Sequence, residues 1–124
     1  MEIKNLYELW KKEVASDAAL SADLEGLSEE EIFDRFYREL DFGTAGLRGV
    51  LGAGTNRMNI YTVARASAGV AAYLLASGSK KRSCVAIAYD SRNNSDLFLY
   101  VIFLHYYHSS GLASNFQTQD FRFY

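Results

Sequence analysis

The residues best suited to chemistry lie between positions 41 and 57, Asp41-Phe42-Gly43-Thr44-Ala45-Gly46-Leu47-Arg48-Gly49-Val50-Leu51-Gly52-Ala53-Gly54-Thr55-Asn56-Arg57, where five of the chain's nine glycines fall. Glycines at 43, 46, 49 and 52 permit positive φ and let backbone N–H groups approach a ligand, and Arg48 carries a planar fork matched to phosphate oxygens. This is chemistry for an anion. The same texture also suits a twisted hairpin with glycine turns. Two common phosphate loops are excluded, because neither G-x-x-x-x-G-K-[ST] nor G-x-G-x-x-G occurs.

A second group follows the apolar run Cys84-Val85-Ala86-Ile87-Ala88-Tyr89, which reads as a strand buried on both faces. Ligands in open α/β sheets collect beyond the carboxyl ends of strands, which is where Asp90 and Arg92 emerge. The alternative is a local Asp90–Arg92 ion pair, with Asn94 or Ser95 capping the next helix. Other reactive types find blander explanations. Glu29, Glu30 and Glu31 diverge around a solvated first helical turn. His105 and His108 share a helix face at i, i+3, but no nearby Cys or carboxylate completes a metal set. Cys84 is a lone thiol in an apolar run, consistent with a buried residue in a reducing compartment.

The elements that hold these residues must fit in 124 residues, room for one domain. Residues 1–41 carry twelve acids against five bases, net −7, and residues 42–97 carry seven bases against two acids, net +5. That middle patch suits a phosphorylated small molecule; the interleaved aromatics of single-strand binders are missing, so no nucleic-acid partner is expected. No apolar run approaches the roughly 20 residues of a membrane helix, and no secretory leader is present, so no membrane partner and a cytoplasmic location are expected.

Two amphipathic helices are expected in the first 41 residues. Leu6, Leu9, Trp10 and Val14 stripe the first, with Asn5 as a cap; Ile32, Phe33, Phe36, Tyr37 and Leu40 form the buried face of the second, opened by a Ser28/Glu31 capping box. Thr62 to Ser77, with six alanines, reads as a long helix capped by Thr62 or Asn59, with a core stripe of Val63, Ala66, Val70 and Leu74 and a stop at Gly78. Lys80, Lys81 and Arg82 beyond that stop suit the helix dipole. Residues 98–124 hold nine of the eighteen aromatics and only Asp120 and Arg122 as charges, too few for an amphipathic helix with a polar face.

The residues Phe42-Gly43-Thr44-Ala45-Gly46-Leu47-Arg48-Gly49, Gly54-Thr55-Asn56-Arg57-Met58-Asn59 and Ala88-Tyr89-Asp90-Ser91-Arg92, in that order and spacing, resemble the N-terminus of the α-D-phosphohexomutases. The resemblance is nearest to the phosphoglucomutase and phosphomannomutase branch that includes phosphopentomutases. It covers about residues 1–98. It implies an α/β fold, part of a mixed-sheet first domain preceded by two N-terminal helices. The expected division is a helical extension at 1–41, a partial first domain at 42–98 and an aromatic-rich tail at 99–124.

The resemblance implies an intramolecular phosphotransferase of carbohydrate metabolism acting on sugar phosphates, with magnesium as cofactor of the full-length family. By motif, Arg48 matches the arginine that contacts the bisphosphate intermediate, Thr44 and Gly46 match the backbone that shapes its pocket, and Asp90 and Arg92 match a supporting polar network. The family's nucleophilic motif, Thr-Ala-Ser-His-Asn-Pro, is absent, and His108-Ser109-Ser110 does not replace it. The magnesium, sugar and C-terminal phosphate loops have no counterpart either. The expectation is therefore a fragment that has no cofactor of its own, binds a sugar phosphate or bisphosphate weakly and is inactive alone. The loss of charge after Leu97 points to a shifted reading frame or another disruption of the gene. A second expectation, from another class, is a non-enzymatic interaction module that self-associates through its aromatic tail.

Overall fold

A computed structural model describes residues 2–44, 46–77, 87 and 91–109. The element order is α1 (Ile3–Glu13), α2 (Ala18–Asp23), α3 (Glu29–Phe36), β1 (Phe42–Gly43), β2 (Gly46–Leu47), α4 (Ile60–Ala76) and α5 (Ser95–Ser109). The chain divides into two compact units, Met1–Ala66 and Ser67–Tyr124, with the division inside α4. No described helix is long and apolar enough to cross a membrane.

In the first unit, three helices precede the hairpin, where two were expected. The extra helix, α2, follows Asp17, whose carboxylate accepts the N–H groups of Ala19 and Leu20 at 3.1 and 3.0 Å. Those bonds satisfy donors that a helix start leaves orphaned, enough to nucleate six residues between two longer helices. The capping box at α3 forms as expected: Ser28 Oγ accepts from the Glu31 N–H, and Glu31 Oε2 accepts from the Ser28 N–H at 2.8 Å. Asn5 does not cap α1. The cap position is Glu2, without a side-chain bond.

Val14, Leu24, Phe36 and Ala53 form the buried centre of this unit, and Leu6, Tyr7, Trp10, Leu20 and Ile32 pack around it. Phe36 lies edge-on to both Tyr7 and Trp10, at 5.9 Å between centroids. Burying a side chain of that size contributes about 1.5–3 kcal/mol. Three residues expected in the core are instead exposed: Leu9, Phe33 and Tyr37. Leu9 falls at the edge of the row defined by Ile3, Leu6, Tyr7 and Trp10. Phe33 and Tyr37, one helical turn apart on the row beside Phe36, cover each other by stacking at 5.4 Å.

The cap of α4 is Asn59, whose Oδ1 accepts from the N–H groups of Tyr61 and Thr62, while Thr62 Oγ1 accepts from the Asn59 N–H. The buried face of α4 runs through Val63, Ser67 and Ala71, at i, i+4 and i+8, and Val70 is exposed. The expected stripe is thus rotated, because an alanine-rich helix has little apolar contrast to fix its face and small residues seat best.

In the second unit, α5 carries apolar residues around its whole circumference, and its described side chains are half-buried or exposed, none fully buried. The residue before it, Asn94, has φ of 63°. The expected strand at Cys84 to Tyr89 (Ile87 apart), the Gly78 stop, the basic trio at 80–82, Asp90, the side chains of His105 and His108, and residues 110–124 lie outside the described residues.

Candidate functional site

The glycine-rich stretch folds into two parts with different surroundings. The first is a hairpin in which β1 and β2 pair antiparallel, Phe42 opposite Leu47 and Gly43 opposite Gly46. Both the hairpin and the approachable backbone read from the sequence are therefore compatible. Of the four glycines expected at positive φ, Gly46 and Gly52 adopt it and Gly43 and Gly49 do not; Gly54 does so in addition. At Gly46, φ is 93° with open space where a side chain would stand.

Arg48 leaves β2 exposed to solvent, as is Thr44, and Gly46 is half-buried. Five arginines fall among residues 2–66, and four are ion-paired: Arg35 with Asp23, Arg38 with Asp41, Arg57 with Asp34 and Arg65 with Glu39. Among the described residues, Arg48 has no carboxylate partner and its side chain makes no hydrogen bond. A guanidinium without a counter-ion among the described residues, following a hairpin whose turn pairs Gly43 with Gly46, can take an external anion through its planar fork.

The second part, Gly52 to Asn59, is closed in by protein. Asp23 accepts Arg35 Nη1 at 2.6 Å and Nη2 at 3.2 Å, and also the Ala53 N–H at 2.7 Å, while Arg35 Nη1 donates to the Ala53 carbonyl at 3.0 Å. The Arg35 hydrogen bonds hold the Asp23 carboxyl below its ordinary value against the opposing effect of burial, and the Ala53 N–H adds to them. Asn56 donates from its backbone to the Arg35 carbonyl (2.9 Å) and from Nδ2 to the Asp34 carbonyl (2.9 Å), closing off the end of α3. Asn59 Nδ2 donates to the carbonyls of Gly52 and Gly54 at 2.8 and 3.0 Å. Gly54 passes so close that a Cβ there would stand 2.8 Å from the Arg35 carbonyl oxygen.

The candidates Thr44, Gly46 and Arg48 thus share one hairpin. Arg92 belongs to the second unit, where its carbonyl accepts from the Ser95 N–H at 3.1 Å, and Asp90 lies outside the described residues. Asp23, Arg35 and Asn56, which fix the glycine segment, were not legible as a set. Their partners lie 12 to 30 residues apart in the chain, too far for any spacing motif to join them. No three His, Cys, Asp or Glu side chains come together among the described residues.

A family model described as phosphoglucomutase/phosphomannomutase, alpha/beta/alpha domain I, matches residues 39–114, more than half of the chain. The chain belongs to this family. Its fold class is accordingly α/β, with the hairpin and α4 inside the matched region. A phosphoglucomutase of Staphylococcus aureus (strain MRSA252) is 37% identical over 95 residues, which is 77% of this chain and 17% of that protein. A phosphoglucomutase of Staphylococcus haemolyticus is 42% identical over 67 residues, 54% of this chain and 12% of that protein. The chain therefore spans less than one fifth of the length of the relatives it matches. No solved structure matches.

Proposed function

We propose that this chain is an N-terminal piece of a phosphoglucomutase-type enzyme, that its Arg48 hairpin grips a phosphoryl group of a sugar phosphate or bisphosphate, and that it performs no transfer alone. The observation that carries the reading is the unpaired, exposed Arg48 in a unit where the other four described arginines are neutralised. In this reading Arg48 supplies two parallel charge-assisted hydrogen bonds. Thr44 and Gly46 shape the backbone beside them. A cytoplasmic location belongs to the same reading.

Phosphoryl transfer needs a donor as well as a grip. The sequence carries no Thr-Ala-Ser-His-Asn-Pro nucleophile. The purified chain is expected to give no turnover of glucose 1-phosphate in a coupled assay supplied with a bisphosphate activator and magnesium; activity above a mock preparation overturns this part.

The grip is tested by chemical-shift titration of the full chain with inorganic phosphate. A single charge-assisted arginine contact contributes about 1.5–3 kcal/mol, opposed by losses of translational and rotational freedom. Millimolar affinity, about −4 kcal/mol, is the expected scale. Loss of that binding in Arg48→Ala supports the reading. Equal binding by the two proteins overturns it and assigns the anion to Lys80, Lys81 or Arg82.

A second reading, an interaction module that self-associates through the aromatic-rich tail, draws support from the exposure of Tyr100 at the start of that tail, 57%. Size-exclusion chromatography separates the two. A discrete oligomer with a protease-protected tail favours the module, and a monomer that loses the tail early favours the fragment.

A further inference from the structure

Gly49, next to Arg48, has no positive φ, so conformational freedom does not explain a glycine there. Space does. A Cβ at Gly49 would stand 2.6 Å from Leu40 Cδ1, 3.2 Å from Cδ2 and 3.5 Å from Cγ, so the Leu40 isobutyl group lies across the bare α-carbon. Leu40 is itself held: its N–H donates to the Thr55 carbonyl at 2.8 Å, and Thr55 Oγ1 donates to the Arg38 carbonyl at 2.7 Å. Leu40 is half-buried, whereas residues 48 to 50 are exposed and Arg48 has no side-chain bond to any described residue that would fix it.

We propose that Leu40 is a positioning residue for the anion site: its contact with Gly49 fixes the backbone from which Arg48 projects. This rests on the assignment of Arg48 as the phosphate grip. The chain leaving β2 has no ladder partner at Arg48 or Gly49, so a side chain seated on the next α-carbon limits how far the Arg48 backbone can swing. Holding it in one arrangement spares the ordering cost that phosphate would otherwise bear on binding. The atom that a new Cβ would meet first is the free end of the Leu40 side chain. Gly49→Ala therefore displaces that side chain and leaves the Asp23–Arg35–Ala53 contacts intact.

The test is a titration of four full-length chains with inorganic phosphate: wild type, Leu40→Ala, Gly49→Ala and the double variant, with Arg48→Ala as reference. Contacting residues typically couple by factors of about two or more. Gly49→Ala is expected to weaken phosphate binding about two- to fivefold and Leu40→Ala about twofold, while the double variant, in which the new methyl occupies space left by the shortened side chain, recovers to within about twofold of wild type. Affinity is read from the shifting signals of the folded chain alone, with urea midpoints measured alongside, so that the recovery reports the site and not the folded fraction. Wild-type affinity in Gly49→Ala, or a double variant no better than Gly49→Ala, overturns the positioning role. Undiminished binding in Arg48→Ala overturns the grip itself, which separates the two failures. If Gly49→Ala does not fold, Leu40→Ala decides alone: weaker binding with an unshifted Ala53 amide supports the role, and unchanged affinity overturns it.

Discussion

The two halves of the glycine-rich stretch are made of the same residue types and stand in opposite states. From Gly52 to Asn59 the polar groups find partners within the first unit: the Ala53 N–H on Asp23, Asn56 on the end of α3, Asn59 on two carbonyls, Arg57 on Asp34. From Phe42 to Arg48 the hairpin holds its own ladder and little else, and its arginine has no partner among the described residues. A saturated segment cannot respond to a ligand without breaking bonds already made, whereas an unsatisfied one can bind without that loss. Composition alone does not separate the held segment, a clamp, from the open hairpin, a lip; the partners that their polar groups find do.

The contrast is most sharply broken at two glycines. Gly54→Ala places a methyl 2.8 Å from the Arg35 carbonyl oxygen and 2.9 Å from Arg35 Cβ at a φ of 130°, with helix backbone in the way. A loss of about 2–4 kcal/mol is expected from combined clash and backbone strain. Gly46→Ala, at φ of 93° with nothing within 4 Å, is expected to cost only about 1 kcal/mol, the backbone penalty alone. Urea unfolding followed by Trp10 fluorescence reads both, since Trp10 packs on Phe36 in the same core. Equal midpoints for the two variants would erase the distinction between clamp and lip.

Next in size is the ion pair at the centre of the clamp. Asp23→Ala strips the Arg35 guanidinium, 15% exposed, of its carboxylate and leaves the Ala53 N–H without an acceptor. Because Asp23 itself is 37% exposed, water softens the loss to about 1–2 kcal/mol. The pH dependence has a definite sign. The Asp23 pKa is lowered in the folded chain, so its contribution is fully present above the unfolded value and disappears as pH falls through the folded one. Wild type should therefore lose stability below about pH 4 more steeply than Asp23→Asn. Glu29, Glu31 and Glu39 are also lowered but are common to both proteins, so the difference isolates Asp23. Parallel acid profiles would show that the pair is not coupled to folding.

What the sequence made legible was local. The Ser28/Glu31 box, the Asn59 cap and the helix it opens all rest on residues within four positions of one another, where spacing and geometry are tied by the helix itself. Helix faces were less legible. Phe33 and Tyr37 are aromatic at core-like spacing, yet they satisfy each other by stacking, and α4 turns its Ser67 and Ala71 inward where Val70 was expected. The clamp was illegible for a different reason. Asp23 and Arg35 belong to no motif, and nothing in their spacing says that the Ala53 N–H, 30 residues from Asp23, completes the set. For the lip, residue types suggested an anion, and what they could not show is that Arg48 has no carboxylate partner among the described residues.

The smallest effect on stability is expected at Arg48, and it is the most informative. Removing a side chain that, among the described residues, touches no carboxylate and makes no hydrogen bond should leave the unfolding midpoint within about 0.5 kcal/mol of wild type, as for surface positions in general. Phosphate affinity should nonetheless fall about tenfold, the low end of what a charge-assisted arginine contact contributes. Arg48→Lys should lie between, since an ammonium keeps the charge and loses the planar fork. Clamp variants should reverse this pattern: Asp23→Ala costs stability while the lip, in the chains still folded, binds phosphate as before. If Arg48→Ala were instead as destabilising as Asp23→Ala, Arg48 would have an internal partner, and the hairpin would be a second clamp with no free guanidinium to offer an anion.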